Sequence, residues 1–203
     1  MNNKGFKALI TVLMILLPLI LFVAGGGGEV KKDTLTWTMG LQNEATRAYY
    51  PFSAPVKVNT GEVYFIVITP ASDCYAYIVY ESSDGDEIVT IFTGKLKKDE
   101  TWQSIGLKIS PPKGSETFYV VVSLEEQKNL ATRISALNTN SGPMQRRALL
   151  NEIYNIRSDV SQFKETPEKP ILMGGAQRGD PERSQGVEFS GLSSYVKTIS
   201  IEH

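Results

Sequence analysis

The chain has one histidine, His203, and one cysteine, Cys74, so the side chains that most often act as general base, nucleophile or metal ligand are scarce. A Ser-His-acid triad would require His203, the last residue of the sequence, to fold back into a pocket, and we do not expect this. Zinc sites take several His and Cys ligands, more than this chain offers. Cys74 lies in the apolar run CYAYIVY, where nothing nearby would lower its pKa, so we expect a small buried side chain.

Two Ser-x-x-Lys strings have the spacing that places a lysine beside the nucleophilic serine of penicillin-binding enzymes. They are residues 110–113 (SPPK) and 161–164 (SQFK), and the second falls near the end of a predicted helix. The companion Lys-Thr-Gly is missing, because Lys197 and Thr198 are followed by Ile199. We therefore interpret both strings as solvated surface and predict no catalytic residue.

Asp84, Asp86 and Glu87 form an acidic cluster that could offer oxygen ligands to calcium. The spacing of an EF-hand is absent, and Asp84-Gly85 is a natural site for positive φ in a hairpin turn. A hairpin tip with its acids in solvent is the simpler interpretation. We predict no metal and no cofactor.

Residues 165–186 (ETPEKPILMGGAQRGDPERSQG) are rich in glycine, proline and charge, which predicts a long exposed loop. The glycines lack the Gly-Lys-Ser/Thr of a phosphate-binding loop. Long loops in compact domains are often functional, so we predict that Arg178, Asp180 and Arg183 contact a partner.

The elements that must position these side chains centre on residues 61–123, where apolar and β-branched runs alternate with compact turn signals. Strands are predicted at 63–69, 74–81, 87–92, 105–109 and 117–123, with further strands at 34–39, 187–189 and 195–201. Pro51 and Pro55 restrict residues 50–57 to an edge or a loop. Residues 94–103 are polar and predict a solvated loop.

Strand 74–81 shows how the two faces of such a strand divide. Cys74, Ala76, Ile78 and Tyr80 share one face, whereas Tyr75, Tyr77 and Val79 share the other. Both faces are largely apolar, so both must be covered.

Two helices are predicted after the central strands, at about 124–137 and 143–164. Ser123 and Glu126 fit a capping box at the start of the first helix, and Pro143 suits the start of the second. Apolar residues recur at helical spacing in both. We expect the second helix to pack on the sheet, with a partner-binding or coiled-coil helix as the alternative.

The fold class that follows is mainly β, with β-sandwich-like antiparallel sheets and two α-helices after the central strands, α+β overall. Residues 29–203 form a single β-rich globular domain. Without a second cysteine, that domain has to be stabilised by its core alone.

Residues 55–125 carry an ordered set of features: Gly61-Glu62, the Tyr-rich strand, the turn at Gly85, Gly94 after an apolar pair, and the Gly114 turn before a strand that ends in serine. This order resembles a bacterial family catalogued as domain of unknown function 4384. The string 92–94 (FTG) departs from the Phe-Pro-Asn of that family. The resemblance implies a β-rich accessory domain of exported or multi-module proteins, without a catalytic motif to transfer.

Residues 1–28 have the layout of a secretory signal, with Lys4 and Lys7 before a long apolar stretch and small residues after it. The apolar stretch is also long enough to remain as a single-span anchor. Either outcome places the globular part outside the cytoplasm, as a periplasmic or secreted domain that is free or anchored to the inner membrane.

The formal net charge is −1 and no basic patch stands out, so we expect no nucleic-acid partner. The sequence favours an exported, non-catalytic, β-rich binding or assembly module of the bacterial cell envelope, with another envelope or secreted protein as its partner. The alternative is an envelope enzyme with an unrecognised carboxylate or Ser-Lys site.

Overall fold

Two β-sheets lie face to face in the computed structural model, which describes residues 34–50, 55–161, 169–172 and 185–203. Sheet A contains β1 (Leu35–Asn43), β2 (Tyr49–Tyr50), β4 (Val63–Pro70), β7 (Trp102–Gln103), β8 (Leu107–Lys108), β10 (Lys169–Leu172) and β11 (Gln185–Gly191). Sheet B contains β3 (Val56–Lys57), β5 (Cys74–Glu81), β6 (Ile88–Leu96), β9 (Ser115–Ser123) and β12 (Ser194–Glu202).

The strand order of sheet A is β10-β11-β1-β4-β7, with β2 on β1 and β8 on β4. The order of sheet B is β3-β12-β9-β5-β6. Neighbouring strands are antiparallel except for β3 and β12, which are parallel. This mainly β, α+β architecture confirms the predicted fold class.

The main core fills the space between the sheets. Every second residue of β1 points into it, and Leu35, Trp37, Met39 and Leu41 are fully buried. Sheet B contributes the face of β5 that carries Ile78, together with apolar side chains of β9 and β12. Alternate residues of the strands in both sheets therefore point inward and together form this core.

A second core covers the outer face of sheet B. Helix α1 (Lys128–Thr139) and helix α2 (Pro143–Ser161) pack there, on the side of β5 that carries Tyr77 and Val79. The buried helix residues are Leu130, Ile134, Leu137, Leu149, Ile153 and Ile156. The predicted two faces of β5 and the packing of the second helix on the sheet are both confirmed.

Among the described residues, no helix is long and apolar enough to cross a membrane.

The first helix begins later than the capping box predicts. Ser123 is the last residue of β9 and pairs with Ser194 of β12, so the strand occupies the predicted cap. Gln127 is the N-cap and makes no side-chain cap bond, although its backbone N–H donates to the Tyr77 hydroxyl at 2.9 Å. Sheet pairing thus decides this helix boundary.

Two predicted loops contain strand. β6 continues to Leu96, which is buried in the main core, and Trp102 of β7 packs on Phe92 with ring centroids 4.5 Å apart. In the predicted loop 165–186, β10 pairs with β11 at the edge of sheet A. The partner strands lie elsewhere in the chain, so local polarity does not reveal them. Residues 1–28 and 173–184 lie outside the described residues.

Replacing a residue of the second core tests whether the helices are part of the folded body. Ile153→Ala should lower the free energy of unfolding by about 2–5 kcal/mol, because Ile153 is 1% exposed and a cavity would remain. Urea unfolding followed by tryptophan fluorescence measures this. Asn151→Ala, on the exposed face of α2, should change stability by less than about 0.5 kcal/mol. Equal effects would contradict the packing described.

Candidate functional site

A cleft of about 490 Å³ opens between β6 of sheet B and the segment around β8 of sheet A. Its apolar wall is formed by Val89, Ile91, Leu107, Phe118 and two adjacent prolines. Acidic side chains stand at the rim and the floor, namely Asp84, Glu87 and Glu116. The cleft therefore combines an apolar interior with a few charged groups, as ligand sites commonly do.

A β-bulge in β6 shapes the apolar wall. Ile78 pairs with Phe92 and Val79 pairs with Thr90, so Ile91 is an extra residue in the ladder. Both Ile91 and Phe92 consequently pack toward the main core. Ile91 lines the cleft, whereas Phe92 packs against Trp102. Bulges that redirect a side chain in this way are frequent near functional sites.

The hairpin between β5 and β6 forms one rim of the cleft. Asp84 Oδ1 accepts hydrogen bonds from Ser82 Oγ at 2.6 Å and from the Asp86 backbone N–H at 3.0 Å. The Ser82 bond, followed by the Asp86 bond, lowers the pKa of Asp84. Gly85 has φ of 71°, which confirms the predicted turn. No group of three or more metal-ligating side chains occurs in the described part of the chain.

Helix α2 holds the hairpin tip in place. Arg146 Nη1 donates hydrogen bonds to the backbone carbonyl oxygens of Gly85, at 3.3 Å, and of Asp86. A charged donor on a packed helix thus fixes the rim that carries the acidic residues.

The opposite rim is the turn before β9, where the Pro111–Pro112 peptide bond is cis. Gly114 meets the hairpin so closely that a Cβ atom there would lie 2.6 Å from Ser83 Cβ. Only glycine fits this contact without displacement. This turn leaves Ser110 and Lys113 exposed rather than one helical turn apart.

Glu116 joins three separate parts of the chain beneath the cleft. Its Oε2 accepts a hydrogen bond from the Tyr80 hydroxyl at 2.6 Å, and its Oε1 lies 3.3 Å from His203 Nε2. The Glu116 side chain is 13% exposed and that of His203 is fully buried. Burial, followed by the Glu116 hydrogen bond, raises the pKa of Tyr80.

His203 does fold back and its side chain is buried, but it is not among the described residues that line the cleft. The backbone of His203 exchanges two hydrogen bonds with Gly114, and its Nδ1 lies 3.4 Å from Thr60 Oγ1. The ring lies between the Thr60 hydroxyl and the Glu116 carboxylate, so the hydroxyl beside this histidine belongs to a threonine rather than to a serine. The available signal was Glu116, which alternates in register with the inward-facing Phe118 and so requires a buried partner.

A second polar cluster closes the same end of the sandwich. The Glu62 carboxylate accepts hydrogen bonds from the Tyr64 hydroxyl, from Asn59 Nδ2 at 3.0 Å and from Asn43 Nδ2 at 2.8 Å. The Tyr64 bond, then the Asn59 bond, lower the pKa of Glu62. Burial and the Glu62 bond raise the pKa of Tyr64 to about 12. These groups satisfy one another, so the cluster is a structural closure.

Cys74 is not among the described residues that line the cleft. Cys74 is fully buried, as expected, and burial raises the pKa of its thiol to about 11. Arg178, Asp180 and Arg183 lie outside the described residues. Comparison of the sequence with protein-family models found no match, and comparison with curated proteins found none either. The family resemblance of residues 55–125 therefore stays a prediction.

Removal of one hydroxyl tests the Glu116 contact. Tyr80→Phe should lower the free energy of unfolding by about 1–3 kcal/mol, because it takes a hydrogen bond from a largely buried carboxylate. Tyr75→Phe is the matched control, since Tyr75 is on the opposite face of the same strand. Urea titration of both variants gives the comparison. Equal losses of unfolding free energy in the two variants would show that the hydrogen bond from Tyr80 to Glu116 does not stabilise the fold.

The Glu62 cluster predicts a pH dependence of stability. The pKa of Glu62 is lower in the folded state than in the unfolded state, where it is near 4.5. The contribution of the carboxylate to the free energy of unfolding is therefore complete above the unfolded pKa and is lost as pH falls through the folded pKa. Glu62→Gln should therefore be less stable than the parent at pH 7, and the difference should shrink below about pH 4. Thermal unfolding across this range measures the effect, with exposed Glu44→Gln as control. A difference that persists unchanged at low pH would exclude the carboxylate as its cause.

Proposed function

We propose that the protein is an exported, non-catalytic binding or assembly module of the bacterial cell envelope, and that the cleft between β6 and β8 is its binding site. The observation that carries the proposal is the cleft itself. Its 490 Å³ lies within the range of about 300–1,000 Å³ that ligand pockets occupy. The signal-like residues 1–28 support an envelope or secreted protein as the partner.

The polar groups beneath the cleft favour binding over catalysis. Both oxygens of Glu116 already have partners, Tyr80 and His203. A raised pKa keeps the Tyr80 hydroxyl protonated at neutral pH, whereas a general base needs a pKa near the working pH. One oxygen of Asp84, Oδ1, is likewise engaged within its own turn. Groups engaged in this way hold a shape rather than move protons.

An envelope enzyme is the second candidate, and the contact between Glu116 and His203 beside the cleft favours it. Substrate turnover that is lost in His203→Gln while the fold is retained would support an enzyme over a binding module.

A photo-crosslinking residue in the cleft tests the binding site in the native envelope. Benzoylphenylalanine in place of Val89, which lines the cleft and is 38% exposed, should form a discrete adduct whose partner mass spectrometry identifies. The same residue in place of Met144, which is 79% exposed and away from the cleft, should not form this adduct. The same adduct at both positions, or none at Val89, would contradict the proposed site.

A further inference from the structure

The outer edge of β6 is a second feature of the cleft that a ligand could use. β6 is nine residues long, and among the described residues β5 is the only strand paired with it. The backbone N–H and C=O groups along the other edge of such a strand have no ladder partner. An incoming strand could therefore add to sheet B at this edge.

One half of this edge lacks the usual protection against pairing. Charged side chains commonly block edge strands, and Lys95 does so near the end of β6, with its Nζ 2.8 Å from Asp73 Oδ2. Residues 88–92 (IVTIF) carry no charge, and Val89 is 38% exposed. Val89 and Ile91 in this half also line the cleft. The unprotected backbone thus runs beside the apolar cavity.

The charged side chains of the cleft indicate which charge its ligand should carry. Asp84, Glu87 and Glu116 are acidic, and Lys108 is the one cation among the described residues that line the cleft. Glu116 is engaged by Tyr80 and His203, but Asp84 and Glu87 are exposed at the rim. The lowered pKa of Asp84 keeps that carboxylate ionised at neutral pH. The rim therefore complements a positively charged group.

We propose that the occupant is an extended segment of a partner protein that adds to the edge of β6 as a strand, with apolar side chains in the cavity and lysine or arginine side chains on Asp84 and Glu87. Strand addition is a common mode of peptide recognition, in which main-chain hydrogen bonds give affinity and side-chain pockets give selectivity. A second copy of this chain is a poorer occupant, because it would bring an identical acidic rim to the first. This inference rests on the proposed function and specifies the class of its ligand.

Two labelled nonapeptides test it against the full-length chain in a neutral detergent. One alternates valine with lysine and the other alternates valine with glutamate. Fluorescence anisotropy should show the lysine peptide binding at least about tenfold more tightly, with an affinity that falls as salt rises. A lysine peptide N-methylated at every second residue should lose about tenfold or more, because one edge no longer donates hydrogen bonds.

Charge-neutralising variants locate the contact. D84N together with E87Q should weaken binding of the lysine peptide about tenfold, because both negative charges of the rim are removed. The turn should be retained, since the amide oxygen of residue 84 can still accept its two hydrogen bonds. E44Q together with E125Q removes the same charge from exposed positions outside the cleft and should leave binding unchanged. Val89→Lys should abolish binding, whereas Met144→Lys should not.

The outcomes separate this inference from the proposed function. Equal affinity for both peptides, or no effect of N-methylation, would overturn the basic strand as occupant, while a specific adduct at Val89 would leave the binding site standing. Absence of that adduct would overturn both the cleft as the binding site and the basic strand as its occupant. A dimer in sedimentation that Val89→Lys dissociates would make a second copy the occupant and would overturn the proposal.

Discussion

β5 and β9 pair over seven consecutive residues in the middle of sheet B and present apolar side chains on both faces. A sheet with two apolar faces needs two covers, and sheet A supplies one while the helix pair supplies the other. The chain must therefore bring its helices back over β5 and β9 after the last central strand. Tyr77 links the helix layer to sheet B, because its ring lies in the second core and its hydroxyl accepts a hydrogen bond from the Gln127 N–H.

The same constraint produces the cleft. With β5 and β9 in the centre and β12 beyond them, β6 is left at an edge, opposite two-residue strands of sheet A that do not extend along it. Arg146 and Gly114 fix the two rims, and the Tyr80–Glu116–His203 contact fixes the floor. Each contact joins distant parts of the sequence. The cavity is therefore a defined part of the fold, bounded by these hydrogen bonds and by the close contact at Gly114.

Local patterns were sufficient for much of this fold. Alternation in β5 identified its two faces, and the helical spacing of apolar residues in 143–164 indicated a buried side of α2, which in the structure contains Leu149 and Ile153. Local patterns were insufficient where a distant partner decides the state of a segment. β10 exists because β11 pairs with it, and His203 is buried because Glu116, 87 residues earlier, needs a partner on an inward-facing strand position. A polar residue on an apolar strand face indicates that a buried partner exists, but it does not identify which residue that partner is.

Amide hydrogen exchange of the full chain tests most directly whether the edge of β6 is an open pairing site. In the described part of the chain β9 is paired on both sides and β6 on one, so residues 88–96 should exchange faster than residues 115–123 in the free protein. Addition of the valine–lysine peptide should slow exchange in 88–96 and leave 115–123 unchanged. Residues 88–96 that are already as protected as β9, or protection that the peptide induces elsewhere but not in β6, would contradict the account.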